Sequence, residues 1–198
     1  MPTPSLILAS GSAVRATLLR QAGLIFEVQN SHVDEDAIKA RSDQSDVDAL
    51  ALLLAEDKAK NVSKENRSAL VIGADQILSC NGERFDKPRH MQEARDNLKK
   101  FRGQTHRLHS AIVLASNGEI LWRHSDHADL TMRHFSDMFL DQYLNTVGDR
   151  VMASVGCYQL EGAGIQLFEK IDGDYFTILG LPLLALLHEL RARQLVVT

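Results

Sequence analysis

The sequence predicts an α/β protein in which a mixed β-sheet carries helices on its faces. Short apolar runs of the length of a buried strand, such as Leu6-Ile7-Leu8-Ala9 and Leu70-Val71-Ile72, alternate with segments whose apolar residues recur at helical spacing. The first of these runs stops at the small residues Ser10-Gly11-Ser12, and a helical pattern follows at once. A strand, a tight turn and a helix in this order are typical of the opening of an α/β unit.

The elements of the first third follow from the same periodicities. Helical spacing predicts a helix over 13–22, with Gly23 suited to its C-terminal end. Apolar residues within 26–28 indicate a second strand, and the polar, acidic segment 30–46 is expected to be a long surface loop. A helix is then expected over 46–62, because Asp46 is a suitable N-cap.

The rest of the chain continues the alternation. The strand over 70–72 is expected to break at Gly73-Ala74-Asp75-Gln76, and 77–78 leads in extended form to Asn81-Gly82, a strong hairpin signal. The remaining expected elements are helices over 91–101, 135–144 and 182–193, and extended segments over 104–115, 119–132 and 165–171.

Composition limits the classes of function. The chain has 198 residues, 44% of them hydrophobic and 24% charged, which predicts one globular domain over residues 1–198. The net charge of -4 argues against a nucleic-acid or membrane-surface binder, although a small phosphorylated ligand stays compatible with it. Cys80 and Cys157 lack CxxC spacing, and no apolar run approaches the roughly 20 residues of a membrane span. We therefore expect a cytoplasmic protein.

The first candidate site is the turn Ser10-Gly11-Ser12, together with Arg15 on the helix that follows. Backbone N–H groups at a helix N-terminus, serine hydroxyls and a guanidinium are suitable partners for phosphate oxygens. An ordinary turn before a helix is the alternative interpretation.

A second group of candidates is charged. Asp75 follows an apolar strand, where a catalytic base is useful, and Glu35 offers a second carboxylate for a hard divalent cation. Lys58 lies on a helical pattern, Lys87 precedes a proline, and Glu161 lies beside two glycines. For each of these, the alternative is an ordinary cap, turn or solvated side chain.

The histidines do not indicate a metal site. His106 and His109, like His124 and His127, are three residues apart in segments expected to be extended, where such pairs point to opposite faces. The chain contains no Walker A, GxGxxG, HExxH or GxSxG motif.

Taken in order, these segments resemble the Maf family of nucleotide pyrophosphatases. The resemblance covers nearly the whole chain and rests on several short motifs. They are Leu8-Ala9-Ser10-Gly11-Ser12 with Arg15, Val33-Asp34-Glu35, Ala55 to Ala59 around Lys58, Gly73-Ala74-Asp75-Gln76, Lys87-Pro88, Gly103-Gln104-Thr105-His106, Glu161-Gly162 with Gly164, and Gly180-Leu181-Pro182-Leu183.

The resemblance implies hydrolysis of a nucleoside triphosphate to the monophosphate and pyrophosphate, assisted by Mg²⁺ or Mn²⁺. It also implies a two-lobed, Maf/ITPase-like mixed sheet around a central cleft, and a homodimer; the net charge, as stated above, argues against nucleic-acid and membrane partners. Asp75 matches the proton acceptor of the family, and Glu35 its second acidic position, so that both are expected to hold the metal. The positions that match its phosphate contacts are Ser10, Ser12, Arg15, Lys58 and Lys87.

Three positions are expected to set substrate specificity. Val14, Gln76 and Glu161 resemble the branch that includes 7-methyl-GTP pyrophosphatases, and they differ from the Arg, Thr and Gln of the dTTP/UTP branch. A carboxylate can accept from N1–H and N2–H₂ of guanine together, whereas an amide suits the N3–H of uracil, which lies between two carbonyls. The alternatives are a dTTP/UTP enzyme, a house-cleaning pyrophosphatase for non-canonical purines, and a non-enzymatic regulator of cell division.

Overall fold

A computed structural model describes residues 5–42 and 46–196, and its strands and helices alternate along most of the chain. The strands in these residues are β1 (Leu6–Ala9), β2 (Glu27–Val28), β3 (Leu70–Cys80), β4 (Glu83–Phe85), β5 (Thr105–Ser116), β6 (Glu119–Met132) and β7 (Phe168–Asp172). They form one sheet in the order β2-β1-β3-β5-β6-β7, with β4 also paired to β3. Parallel pairs on both sides of β1 and antiparallel pairs at β4 and β7 make the sheet mixed, which confirms the expected class.

The helices occur between and after the strands. They are α1 (Ala13–Gln21), α2 (Glu35–Arg41), α3 (Val47–Glu65), α4 (Met91–Phe101), α5 (Asp137–Val147), α6 (Tyr175–Ile178) and α7 (Leu183–Ala192), with 3₁₀ turns at Gly148–Ala153 and Ala163–Leu167. No helix within 5–42 and 46–196 is long and apolar enough to cross a bilayer.

The chain divides into two compact units. Within the described residues, the first contains the chain up to Gln76, Ser110–Asp126 and the chain from Asp174 onwards. The second contains Ile77–His109 and His127–Gly173. The single domain over 1–198 and the central cleft stay predictions.

The first unit is built around parallel pairing of β1 with β3. Leu6 pairs with Leu70, and the register continues to Ala9 opposite Gly73, where β1 ends. Apolar side chains from β1, β3, α1 and α7 form its core, and Leu8, Leu19, Ile72 and Leu186 are among the fully buried members. Burial of this kind is the main favourable contribution to folding.

Gly73 allows α3 to pack closely against β3. A Cβ atom at this position would lie 2.2 Å from the carbonyl oxygen of Ala55 and 2.8 Å from Cβ of Ala59. Both contacts are far shorter than van der Waals separation, so only glycine permits this approach. The close packing holds this same turn of α3, from Ala55 to Ala59, beside β3.

The second unit begins with the expected hairpin. Asn81 and Gly82 have φ of 51° and 79°, as a two-residue type I′ turn requires, and they connect antiparallel β3 and β4. Its core contains aromatic rings around His106, whose Nε2 lies 2.7 Å from the hydroxyl of Tyr158. His106 is 1% exposed, and its Nδ1 is buried without a hydrogen-bond partner among the described residues.

Three sequence expectations need correction. The strand does not break at 73–76, because β3 runs unbroken from Leu70 to Cys80. The segment 30–46 is not a loop throughout, since it contains α2, which Asp34 caps through the backbone N–H of Ala37 and which buries Ile38. Residues 43–45 of that segment lie outside the described residues. The last strand begins at Phe168, because 163–167 form a 3₁₀ turn.

Burial of His106 predicts an acid-sensitive fold. Burial lowers the pKa of His106 from 6.5 to about 4, so between these pH values only the unfolded chain binds the proton. Stability should therefore fall as the pH drops from 6.5 towards 4, and His106→Gln should remove up to about 3 kcal/mol of that loss. Urea unfolding at several pH values measures it. His188→Gln is the matched control at an exposed position, and a wild-type pH dependence in His106→Gln would contradict the prediction.

Candidate active site

The turn between β1 and α1 has the geometry of an anion site. Ser12 is the N-cap of α1, and its Oγ accepts from the backbone N–H of Arg15 at 3.4 Å. The backbone N–H of Ser12 donates to Oγ of Ser10 at 3.3 Å. The turn thus places two hydroxyl groups at the positive end of a nine-residue helix, as the sequence predicts.

Arg15 is buried and joins three segments of the first unit. Its Nε donates to the carbonyl oxygen of Gly180 and its Nη1 to that of Ala74, both at 2.8 Å, and Nη1 also reaches Oγ of Ser10 at 3.1 Å. Burial lowers the pKa of the guanidinium, and the nearby carboxylates Asp75 and Glu35 oppose that change. Two of its three nitrogens therefore hold backbone, and a bound anion would meet chiefly Nη2.

Lys58 of α3 connects the two acidic candidates. Its Nζ lies 2.5 Å from Oδ1 of Asp75 and 2.8 Å from Oε1 of Glu35. Asp75 lies on β3 two residues beyond Gly73, where β1 has already ended, and Glu35 is the first residue of α2. Asp75 and Lys58 are 7% and 8% exposed, so the pair is largely removed from water.

The pKa of Asp75 reflects opposing effects. Burial raises the pKa because the charged form loses hydration, while the positive charges of Lys58 and Arg15 lower it. Glu35 raises it further through like-charge repulsion, and the net direction is upward. A carboxylate with a raised pKa is a better proton acceptor than an exposed aspartate, so the environment suits a general base.

The side chain of Gln76 points away from Asp75 and Lys58, because Gln76 follows Asp75 on the same strand and successive strand side chains face opposite sides. Its Nε2 lies 2.9 Å from Oγ of Ser110 and 3.1 Å from the carbonyl oxygens of both Thr177 and Ile178. Val14, on α1, is half-buried and packs against the core of the first unit.

The other two candidates belong to the second unit. Lys87 is exposed in the segment between β4 and α4, and Glu161 is exposed in the turn that precedes the 3₁₀ segment Ala163–Leu167. The contacts that make up the cluster described above all lie within the first unit, which brings together six predicted residues. They are Ser10, Ser12, Arg15, Glu35, Lys58 and Asp75.

The carboxylates of Glu35 and Asp75 fit a divalent metal that is shared with a ligand. Their oxygens lie close together, since both contact one ammonium, and carboxylate oxygens are the ligands that Mg²⁺ prefers. Across residues 5–42 and 46–196, no group of three or more His, Cys, Asp or Glu side chains is arranged to hold a metal. A pair of carboxylates that leaves the remaining positions to phosphate oxygens matches the usual protein environment of Mg²⁺.

The sequence did not indicate the residues that hold the side chains of Gln76 and Arg15 in place. Ser110 and Thr177 contact Gln76 from 34 and 101 residues away, and the carbonyl oxygens of Ala74 and Gly180 position Arg15. Backbone oxygens carry no sequence signal, and a buried serine or threonine resembles any other. For the segment that contains Thr177 and Gly180, the only indication of a role in the site was the motif Gly180-Leu181-Pro182-Leu183.

A family model described as "Maf-like protein" matches residues 5–193. The 7-methyl-GTP pyrophosphatase of Brucella suis biovar 1 (strain 1330) is 52% identical over 194 residues, 97% of this chain and 98% of that protein. The nucleoside triphosphate pyrophosphatase of Paramagnetospirillum magneticum (strain ATCC 700264 / AMB-1) is 51% identical over 187 residues, 93% and 96% of the two chains. A HAM1 protein structure from Coxiella burnetii aligns with a TM-score of 0.40 at 12% identity, over 65% of this chain and 73% of that one.

The role of Arg15 as a connection between segments predicts a large loss of stability on its removal. Arg15→Met leaves the carbonyl oxygens of Ala74 and Gly180 without their donors, and should cost about 2–4 kcal/mol. Arg15→Lys should recover only part, because one ammonium lacks the planar fork of the guanidinium. Urea unfolding measures both variants against Arg20→Met, an exposed position on the same helix. An Arg15→Met protein as stable as that control would show that these bonds contribute little.

Proposed function

The chain belongs to the Maf family, and on this basis we propose that it hydrolyses a nucleoside triphosphate to the monophosphate and pyrophosphate, with 7-methyl-GTP as the favoured substrate. The observation that carries the proposal is the buried carboxylate of Asp75, held by Lys58 beside a helix N-terminus suited to phosphate. A protein that only binds a nucleotide has no need for such a base.

Asp75 is the general base of the proposed reaction. Water attacks the α-phosphorus, Asp75 accepts the proton of the water, and the bond between the α-phosphorus and the bridging oxygen breaks to release pyrophosphate. Because its pKa is raised, Asp75 accepts a proton from the attacking water more readily than an ordinary carboxylate does. The positive charge of Lys58 opposes the effect of burial on the pKa and favours the charged, proton-accepting form of Asp75.

Phosphate binding falls to the groups around the first turn. The hydroxyl groups of Ser10 and Ser12, with the first N–H groups of α1, donate hydrogen bonds to oxygens of the triphosphate. Lys58 has three N–H donors, of which two serve the carboxylates and one remains for a phosphate oxygen. Lys87 and Nη2 of Arg15 supply further positive charge, the dominant stabilisation in phosphoryl transfer.

Glu35 and Asp75 would hold the divalent cation, Mg²⁺ or Mn²⁺, together with the phosphate oxygens. When bound, such an ion supplies positive charge to the phosphates and lowers the pKa of a coordinated water. The charges of the cluster support this assignment, because two cations and two carboxylates already balance and a triphosphate adds negative charge.

Glu161, Gln76 and Val14 are the proposed specificity positions. A carboxylate at Glu161 accepts from two adjacent N–H groups of guanine, and it also favours the cationic ring that N7-methylation creates. The homodimer that the family resemblance implies and the cytoplasmic location that the composition predicts remain part of the proposal.

The test of the activity is a screen of the purified protein against canonical and N7-methylated triphosphates with Mg²⁺ or Mn²⁺. The expected product is pyrophosphate rather than orthophosphate, with 7-methyl-GTP preferred. Asp75→Asn should lower turnover at least ~100-fold while nucleotide binding stays nearly intact. Asp96→Asn, an exposed acid, is the matched control, and thermal unfolding confirms that the variants are folded. Near-normal turnover in Asp75→Asn would remove it from the role of base.

The specificity proposal predicts the effect of Glu161→Gln. An amide can donate to a pyrimidine carbonyl and accept from N3–H, so the variant should shift relative kcat/KM towards UTP and dTTP. Competition between 7-methyl-GTP and UTP measures this shift, and Glu169→Gln is the matched exposed control in the same unit. An unchanged ranking would exclude Glu161 from base recognition, and preference for inosine or xanthosine triphosphates would favour the house-cleaning alternative.

A further inference from the structure

The amide of Gln76 can adopt only one orientation in the fold. Its Nε2 lies within 3.1 Å of two carbonyl oxygens, those of Thr177 and Ile178, which can only accept hydrogen bonds. The reversed amide would place Oε1 against both of these oxygens, with two buried acceptors facing a third. The NH₂ group must therefore point towards the segment that contains Thr177.

The hydroxyl of Ser110 points the same way. Its Oγ donates to the carbonyl oxygen of Thr177 at 2.8 Å, so its single proton is used. The contact of 2.9 Å between Oγ of Ser110 and Nε2 of Gln76 then has only one possible direction, with the amide donating. The two N–H protons of the amide are thus shared among three acceptors, which are this oxygen and the carbonyl oxygens of Thr177 and Ile178. Ser110 is 1% exposed, which makes a competing water bond at this hydroxyl unfavourable.

The side chain of Thr177 anchors the segment that supplies these carbonyl oxygens. Its Oγ1 donates to Oδ2 of Asp126 at 2.7 Å, and the side chain is fully buried. Asp174 caps the short helix α6 through the backbone N–H groups of Phe176 and Thr177. The carbonyl oxygens that orient Gln76 are thereby held by two carboxylates from different parts of the first unit.

The carbonyl oxygen of the Gln76 side chain, Oε1, is not used in these hydrogen bonds. Among the described residues, no protein group donates a hydrogen bond to Oε1. Gln76 is only half-buried, and its Oε1 is accessible to solvent. A Cβ atom on Gly180 would lie 3.4 Å from both Oε1 of Gln76 and Nη2 of Arg15. The missing side chain of Gly180 leaves space beside this acceptor and the outer nitrogen of Arg15.

We propose that Ser110 and Thr177 are positioning residues that hold the Gln76 amide so that only its carbonyl oxygen meets the nucleobase, where it accepts from an N–H group of a guanine-type ring. This inference rests on the proposed function, because it assigns the acceptor to that substrate. It makes Gln76 selective for bases that present a donor, since a fixed oxygen repels a ring nitrogen or carbonyl at the same place.

The test compares 7-methyl-GTP with two analogues, 7-methyl-ITP, which lacks the 2-amino group, and 1,7-dimethyl-GTP, which lacks N1–H. In the wild type, at least one analogue should lose roughly tenfold in kcat/KM through KM, which corresponds to one hydrogen bond. That loss should disappear in Gln76→Leu. A steric cost of the added methyl group would lower kcat/KM in the wild type and in Gln76→Leu alike, so it cancels when the two proteins are compared. Equal losses in the wild type and Gln76→Leu would overturn the assignment of Gln76 to the base.

The positioning role is tested with Thr177→Val and Thr177→Ser as a matched pair, and with Ser110→Ala. Thr177→Val and Ser110→Ala should reduce the discrimination between analogues, whereas Thr177→Ser keeps the hydroxyl bond to Asp126 and should retain it. A purely structural role would lower stability without changing this ratio. Wild-type discrimination in folded Thr177→Val and Ser110→Ala would overturn the proposal.

An independent readout requires no activity. In ¹⁵N-labelled protein, the two side-chain amide protons of Gln76 should exchange slowly with water, and exchange should accelerate in Thr177→Val. Exchange at the rate of a free amide in the wild type would contradict the fixed orientation. If the wild type released no pyrophosphate from any nucleotide, the proposed function would fail, while this measurement would still decide the orientation.

Discussion

The site depends on one ammonium group shared by two carboxylates. Lys58 contacts both Asp75 and Glu35. Lys58 on α3 and Asp75 on β3 are both buried where this helix packs against the strand. Removing one member of a buried ion pair leaves an uncompensated charge, which typically costs 3–5 kcal/mol. The arrangement exists because Gly73 lets the helix approach the strand to a distance that no Cβ atom would allow. The position of Asp75, the proposed base, is therefore set by a packing contact two residues before it.

Arg15 is a second buried charge of the cluster, and its hydrogen bonds to backbone compensate for the loss of hydration. A desolvated guanidinium is costly unless its donors are used, and here two nitrogens are bonded to backbone carbonyl oxygens from β3 and from the turn before α7. The first turn, the strand of Asp75 and the segment of Gly180 are thereby tied to one side chain. A residue expected only to contact phosphate also holds the three segments that form the site.

The residues proposed for base recognition and for catalysis are adjacent on β3 and face opposite sides of the strand. Asp75 faces α3 and its lysine, while Gln76 faces Ser110 and the carbonyl oxygens of α6. Strand alternation places them on different sides, so each can be surrounded by partners suited to its role. This division would be impossible if the strand broke at 73–76, as the glycine and the aspartate suggested. After β1 has ended opposite Gly73, β3 continues as a strand to Cys80 and pairs with β4 from Leu78 onwards.

Local patterns in the sequence determined most of the architecture, because alternation, helical spacing, capping residues and the Asn-Gly turn act within a few residues. The same patterns, with the family resemblance, identified Ser10, Ser12, Arg15, Glu35, Lys58 and Asp75 as residues of one site. Only the tertiary structure decided that Lys58 joins the two acids, that Arg15 holds carbonyl oxygens, and that the Gln76 amide points one way. These features arise from backbone oxygens and buried hydroxyls up to 165 residues distant along the chain, and their effect depends on desolvation. Desolvation is a property of the folded packing, and no local sequence pattern specifies it.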